Sequence, residues 1–392
     1  YKIFNFIFKP KKFFFYKFQL PKKIKIKFFL SKCYFIFKKI KYVQNLKNEN
    51  NKSLRDEFYN FKNSDDDFIN FLNKFLKNNF PRIFLEDYSR LENSYLKLNW
   101  PTKPKYIFTS YGFYYDEIFK IYASKLREND YTKLIIGQHG GSSGMEDNSL
   151  ETFFETKISD RYLTWGWKEN KKHYPLFATT VEDIKKKFFF NKKNKIILVL
   201  HNLTLSPIRP SLNSGVATSD VNKIYIKLVV DFMKYLNCDI KHKVEANIKG
   251  GADLLKNSFI RSSILSEHSK LKFIKNNKFT HEVRNKYNLQ VEFYLSTGFL
   301  EAMLLNNPVI LIYNKLIRRQ KKEVLNQIQL LIKKNICFTD SKKASEFVNN
   351  NYGSIDKWWN DPAVQRTRKL FCEKYCKKSE NPIKDLNKSL VF

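Results

Sequence analysis

Glycine is scarce in this 392-residue chain, at 11 residues, and so are cysteine at 5 and methionine at 3. The cysteines, Cys33, Cys238, Cys337, Cys372 and Cys376, are odd in number and widely scattered. Only Cys372 and Cys376 are close, and a four-residue step on a helix is neither a zinc knuckle nor a redox motif. Buried or partly buried free thiols in a reducing cytoplasm are expected. No metal-ligand cluster, Walker loop, Gly-x-Gly-x-x-Gly fingerprint or Ser/His/Asp elbow occurs either, so no metal is expected. Uncharged apolar runs never reach the roughly 18 residues of a membrane-spanning helix. A signal peptide fits no better, since lysines interrupt every apolar run and no small-residue cleavage site follows.

Acidic residues are the other shortage, at 38 against 72 lysines and arginines, for a net charge of +34. The first 43 residues hold thirteen lysines and no acid, interleaved with Phe, Ile and Tyr. Such a charge ordinarily points to nucleic acid or an anionic membrane. Most of the lysines, however, are dispersed in a chain also rich in Phe, Asn, Ile and Tyr, which fits compositional drift. Specific nucleic-acid binding is not expected, because no recognition helix, RNP-type strand or zinc finger accompanies the lysines. Two readings of residues 1–43 stand. One is a surface-binding segment, with lysines on anionic lipid and rings in the headgroup zone; the other is a poorly specified or damaged end. The first places the protein in the cytoplasm, peripheral on the inner face of the membrane. The chain starts at Tyr1 rather than Met, as expected of a fragment.

At 43% hydrophobic and 28% charged the chain reads as globular, and its length suffices for two cores. Residues 44–80 are polar and helical. There Asp65, Asp66 and Asp67 stand ahead of Phe68, Phe71, Leu72, Phe75 and Leu76, a capped turn followed by one apolar face. From residue 100 the pattern alternates, with strands at Lys105–Thr109, Leu134–Ile136 and Tyr162–Trp165 and a helix at Asp116–Arg127. This order predicts an α/β fold whose parallel sheet binds ligands beyond the carboxyl ends of its strands, where Ser110 and His139 lie. The lysine-rich stretch 168–194 reads as a boundary. A second unit starts at the apolar run Ile196–Leu200 and continues with a helix over Val221–Leu236. It then has a strand at Val291–Leu295, a helix at Phe299–Leu305 stopped by Pro308, and a strand at Val309–Tyr313. In residues 245–290 neither period dominates. A tail helix is expected over Asp361–Lys377, behind Trp358 and Trp359, which are expected to pack. The predicted division is a basic segment 1–48, an acceptor-side α/β domain 49–185, and a donor-side Rossmann-type domain 190–392.

Scarcity gives the glycines their meaning. Four of the eleven, Gly137, Gly140, Gly141 and Gly144, fall within eight residues around His139, directly after a predicted strand. His139 titrates near neutrality and can take a proton from a substrate hydroxyl as a general base. Backbone N–H groups at Gly140 and Gly141 can hold a phosphate or a developing negative charge. Glu155 and Asp160, just before the Tyr162 strand, can orient His139 or contact an acceptor. Ser296 and Thr297 open a helix, where unpartnered N–H groups make a diphosphate seat, with Glu301 one turn on for ribose hydroxyls. The plainer alternative is a Ser/Thr cap completed by Glu301. Arg209, after the first strand of the second unit, can neutralise a leaving diphosphate.

Four blocks of the chain resemble a family of transferases found in O-antigen and surface-polysaccharide gene clusters. They are Ile107-Phe108-Thr109-Ser110, Tyr114-Tyr115-Asp116-Glu117-Ile118-Phe119, Leu134-Ile135-Ile136-Gly137-Gln138-His139-Gly140-Gly141 and Lys157-Ile158-Ser159-Asp160-Arg161-Tyr162-Leu163-Thr164-Trp165-Gly166-Trp167. Ser296-Thr297, Leu300-Glu301, Asn307-Pro308 and Trp358-Trp359-Asn360-Asp361-Pro362 agree, so the resemblance covers roughly residues 80–392. It implies a GT-B-like architecture, two Rossmann-type domains facing across a cleft, with the C-terminal helix packing back toward the first. It also implies a glycosyltransferase-like reaction, from a nucleotide-sugar donor, a substrate rather than a cofactor, to a saccharide or lipid-linked acceptor. A His-Gly histidine as base, as in GT-B-like enzymes that transfer glycerol phosphate, would be His139. The chain departs from the family pattern in three places. The long N-terminal half is replaced by the basic Phe-rich stretch, Phe154 stands where a histidine is expected beside Glu155, and an Arg/Tyr/Pro block is not recognisable in residues 245–290. These departures leave a second reading, a truncated non-catalytic homologue that associates with a membrane or a partner through its basic N-terminus.

Overall fold

The computed structural model describes residues 13–21, 24, 33–35, 51–58, 65–98, 100–128, 131–180, 193–201, 218–248, 258–274 and 286–390. The chain divides into two compact units, Tyr1–Phe18 with Ile26–Ile135, and Gln19–Lys25 with Ile136–Phe392.

In the first unit β1 (Phe13–Phe15) lies between β2 (Cys33–Phe35) and β3 (Tyr106–Thr109), parallel to both. The register sets Phe15 opposite Phe108, and their rings stack at 4.4 Å. Phe14, Phe15, Tyr16 and Phe18 are buried. These rings, expected at a headgroup zone, are therefore part of a core, because a run of aromatics satisfies a strand covered on both faces. The Tyr16 hydroxyl and Lys17 ammonium both reach the carboxylate of Asp116. The same carboxylate caps the Glu117–Arg127 helix by accepting from the Phe119 amide at 3.1 Å. Asp66 accepts from the amides of Phe68 and Ile69, so the aspartate triplet starts the Asp67–Asn79 helix as expected.

β4 (Lys133–Gly137) leads into the second unit and ends at the glycine loop. There β5 (Arg161–Thr164) pairs in parallel with β6 (His173–Pro175). The remaining strands are β7 (Lys193–Leu200), β8 (Val244–Ile248), β9 (Lys272–Phe273), β10 (Tyr287–Glu292), β11 (Val309–Ile312) and β12 (Cys337–Phe338). They form a parallel sheet in the order β12-β11-β10-β7-β8-β9. The chain is therefore α/β. Its Ile196–Leu200 run is fully buried at the centre of that sheet. The Thr218–Tyr235 and Ser341–Asn351 helices pack over it, joined where the Ser341 and Ser345 hydroxyls donate to the carbonyls of Leu228 and Phe232.

Two elements differ from expectation. The strand placed at Val291–Leu295 runs over Tyr287–Glu292, because Tyr287 and Leu289 pair with Lys193 and Ile196. Phe293 and Leu295 remain buried beyond the ladder, so apolarity outlasts the strand. Residues 245–248, at the start of the stretch that showed no period, belong to β8, buried throughout. Its Glu245 receives the Lys195 ammonium and the Tyr287 hydroxyl, both at 2.5 Å, so a polar residue sits at a core position with its partners supplied from other strands.

The tail helix spans Pro362–Tyr375, capped by Asp361. Both preceding tryptophans pack: the Trp359 indole donates to Asn306 Oδ1 at 2.8 Å and that of Trp358 to the Lys334 carbonyl at 3.1 Å. Cys337, Cys372 and Cys376 are buried free thiols as expected, whereas Cys238, expected to be at least partly buried, is exposed at the start of a short helix. No helix of the described residues is long and apolar enough to cross a membrane.

Candidate active site

Gln138 organises the glycine loop. Its amide oxygen accepts from the Trp165 backbone N–H at 2.8 Å and from the Trp167 indole at 2.9 Å, and its amide nitrogen donates to the Gly140 carbonyl at 2.7 Å. One buried amide thus ties the Gln-His-Gly-Gly block to the Trp-Gly-Trp block. Gly144 turns at φ +74, where a side chain is strained. Beyond it, the Lys321 amide donates to the Met145 carbonyl at 3.0 Å and the Asp147 amide to the Arg319 carbonyl at 3.1 Å.

His139 stands between two carboxylates. Its Nδ1 lies 3.4 Å from Glu155 Oε1 and its Nε2 3.3 Å from Glu151 Oε1. Both acids come from the Leu150–Ile158 helix, started by Ser149, whose hydroxyl accepts from the Thr152 amide. A four-residue step puts them on one helical face. Glu155 has no exposure, whereas the Glu151 side chain is 44% exposed. The other oxygen of Glu155 accepts from the Tyr162 hydroxyl at 2.6 Å. Burial, and then the charge and hydrogen bond of Glu155, push the Tyr162 phenol well above 10, so it remains a neutral donor.

Burial by itself lowers the His139 pKa; the hydrogen bond to Glu151 and the charges of Glu155 and Glu151 outweigh it, and the net shift is upward from 6.5. Replacing Glu151 with Gln removes a raising influence and leaves the desolvation. The imidazole of Glu151→Gln should therefore titrate at lower pH than in the native protein, read from its ring resonances in a pH series by NMR. A midpoint that does not move would mean that Glu151 and His139 do not touch in solution.

The three side chains each offer a metal-ligand atom, all within 4.8 Å of one another. The carboxylates nevertheless address opposite ring nitrogens, and one ion can take only one of them. The arrangement suits an imidazole whose positive charge is favoured by two flanking carboxylates better than a metal centre.

The second set of expected residues lies in the same unit. Ser296 caps the Thr297–Leu304 helix, accepting from the Phe299 amide at 3.1 Å and donating to Glu292 Oε2 at 2.9 Å. The Thr297 hydroxyl accepts from the Gly141 amide at 2.9 Å. A Cβ on Gly141 would stand 2.8 Å from Thr297 Cα and N, so this glycine permits the loop to lie directly on the helix start. The Ser296 and Thr297 side chains are thus engaged within the protein, and the buried Glu292 already complements the helix N-terminus. A Cβ built on Gly140, by contrast, meets nothing nearer than Thr297 Oγ1 at 4.0 Å.

Glu301 is half-buried one turn along that helix, and Asp160 is half-buried between the Leu150–Ile158 helix and β5. The carboxylates that flank the imidazole are those of Glu151 and Glu155 instead. Arg209 lies outside the described residues. Sequence reasoning missed Glu151, whose signal was its four-residue spacing from Glu155. It also missed Arg318, which pairs with the buried Glu146 and lies 5.2 Å above the Tyr294 ring. Nothing in the local sequence marks that arginine.

Among solved structures, similar folds include MnaA of S. aureus with UDP, at 10% identity over 76% of this chain and 77% of that one, TM-score 0.44. MurG of Acinetobacter baumannii matches at 10% identity over 72% of each chain, TM-score 0.37. WaaG, a glycosyltransferase involved in lipopolysaccharide biosynthesis, matches at 10% identity over 78% of this chain and 81% of that one, TM-score 0.34. Among curated proteins none matches. One family model matches residues 1–390, the basic N-terminal stretch included, and by that match the chain belongs to the LIC12162 family of transferases.

Proposed function

We propose that this transferase moves a sugar or related group from a nucleotide-activated donor to a hydroxyl of a saccharide or lipid-linked acceptor, with His139 as general base. The observation that carries the reading is the histidine between Glu151 and Glu155, on a glycine loop at the carboxyl end of a strand. Glu155, buried and braced by Tyr162, faces Nδ1 at 3.4 Å, and its charge stabilises the imidazolium that forms. The acceptor hydroxyl replaces the exposed Glu151 carboxylate at Nε2. Its proton passes to Nε2 as its oxygen attacks the anomeric carbon, while the bond to the diphosphate breaks and the electron pair leaves with the diphosphate.

The donor lies over the loop. Since Ser296 and Thr297 are engaged with Glu292 and Gly141, they serve mainly to position the loop. The Gly141 amide already donates to Thr297, so contact with the diphosphate falls to the backbone at Gly140, with Glu301 toward the ribose. Peripheral attachment at an anionic membrane surface fits a lipid-linked acceptor and the +34 charge.

Calorimetric titration with a panel of nucleotide sugars tests the donor side. Saturable binding of one nucleotide class is expected, retained in His139→Asn. No heat across the whole panel at millimolar donor would reject the transferase mechanism for this chain and favour a non-catalytic homologue.

A further inference from the structure

A cavity of about 1370 Å³ opens between Gly166, the end of the Thr297–Leu304 helix, the Pro362–Tyr375 helix and the segment through Lys388. It shares no side chain with the His139 site. Its cations are Arg368, Lys369, Lys377, Lys378, Lys384 and Lys388. Arg368 is only 8% exposed. It donates to the Met303 carbonyl at 2.6 Å and to Gln365 Oε1 at 3.1 Å, and among the described residues no carboxylate pairs with it. A buried guanidinium without a counter-ion is costly, and a carbonyl at a helix end offsets only part of its charge. The five lysines are exposed and likewise form no ion pair among the described residues. Of the three acids in the wall, Asp385 is engaged by the Ser379 hydroxyl at 2.6 Å.

We propose that this cavity is an anion site for a phosphate- or diphosphate-bearing ligand, with Arg368 in its buried wall and the lysines around it. A concave surface concentrates the field of these charges on whatever enters. A guanidinium beside point-charge ammoniums is the donor set that phosphate oxygens take. The volume exceeds a bare phosphate and fits a larger molecule carrying one. The wall is also coupled to the glycine loop. The Lys377 amide donates to the Trp165 carbonyl at 2.9 Å, and the Trp165 amide donates to Gln138. Gly166 allows that approach, since a Cβ there would meet the Glu373 carbonyl at 2.5 Å.

Pyrophosphate titrated into the full chain should bind, more weakly as salt rises. The exposed double variant Lys377→Glu/Lys384→Glu should lose about tenfold or more in affinity with its thermal midpoint unchanged. Arg368→Met should do the same if it folds, and the double lysine variant should leave the nucleotide-sugar titration as it was, which separates this cavity from the donor site. Vesicles with and without phosphatidylglycerol distinguish the sources. Sedimentation with the anionic vesicles that pyrophosphate reverses supports a lipid headgroup, and pyrophosphate binding without sedimentation supports a soluble ligand. No pyrophosphate binding at millimolar concentration, or an affinity unmoved by the double lysine variant, overturns the proposal.

Discussion

Replacing His139 with Asn should lower turnover about 10²–10⁴-fold, the range a positioned general base contributes. Asn keeps a polar side chain of similar reach but cannot take a proton. Donor affinity should stay within about twofold, because the loss falls on a step made only in the transition state. The pH profile supplies an independent check. His139 must be neutral to act, and its pKa lies above 6.5. Native kcat/KM should therefore rise with pH through that raised value, and the variant should lose this acid limb. Turnover unchanged in His139→Asn would eliminate the histidine as base, whatever the donor titrations show.

Much of the architecture was legible because apolar period and chain punctuation agree there. The strands at Tyr106, Leu134, Ile196 and Val309 are runs buried on every residue, and such runs need no partner to be recognised. Helix starts at Asp66, Asp116 and Asp361 were equally visible, and each aspartate proves to be the capping acceptor. β8 was not, since Glu245 and Asn247 occupy core positions and their acceptability depends on distant residues such as Tyr287. The same limit applies to β1. Nothing in Phe13-Phe14-Phe15 distinguishes a lipid-facing run from an interior strand until β3 is set beside it.

The site divides along the same line. His139, its glycines and Glu155 could be named from the chain because strand end, loop and helix are local features. Gln138 stood in plain view between them, yet its role requires two tryptophans 27 and 29 residues away. The Ser296–Thr297 turn illustrates the converse. Its residue types suit an anion seat, but Glu292 and Gly141 reach it first, through contacts no local pattern specifies. Glu151 lies between these cases: its spacing from Glu155 was readable, and only the fold shows that both acids address one imidazole.

Gly144→Ala should destabilise the protein by about 2–5 kcal/mol, whereas Gly140→Ala should change stability by no more than about 0.5 kcal/mol. The two positions stand four residues apart in one loop, so a general intolerance of side chains would affect both. Gly144 has φ +74, and a Cβ built on it falls 2.2 Å from two ring atoms of Trp167. The indole has little room to retreat. It is 3% exposed, it lies edge-on to His173 with centroids 4.6 Å apart, and its N–H is bound to Gln138. Moving it breaks the contact that sets the loop, so Gly144→Ala should also lose turnover at temperatures where it stays folded. Urea unfolding measures the stability difference, with an unchanged slope showing that the same surface is exposed in both variants. Equal midpoints for the two would mean that the ring does not pack under Gly144. The brace from Gln138 to Trp167, and with it the fixed placement of His139, would then have to be abandoned.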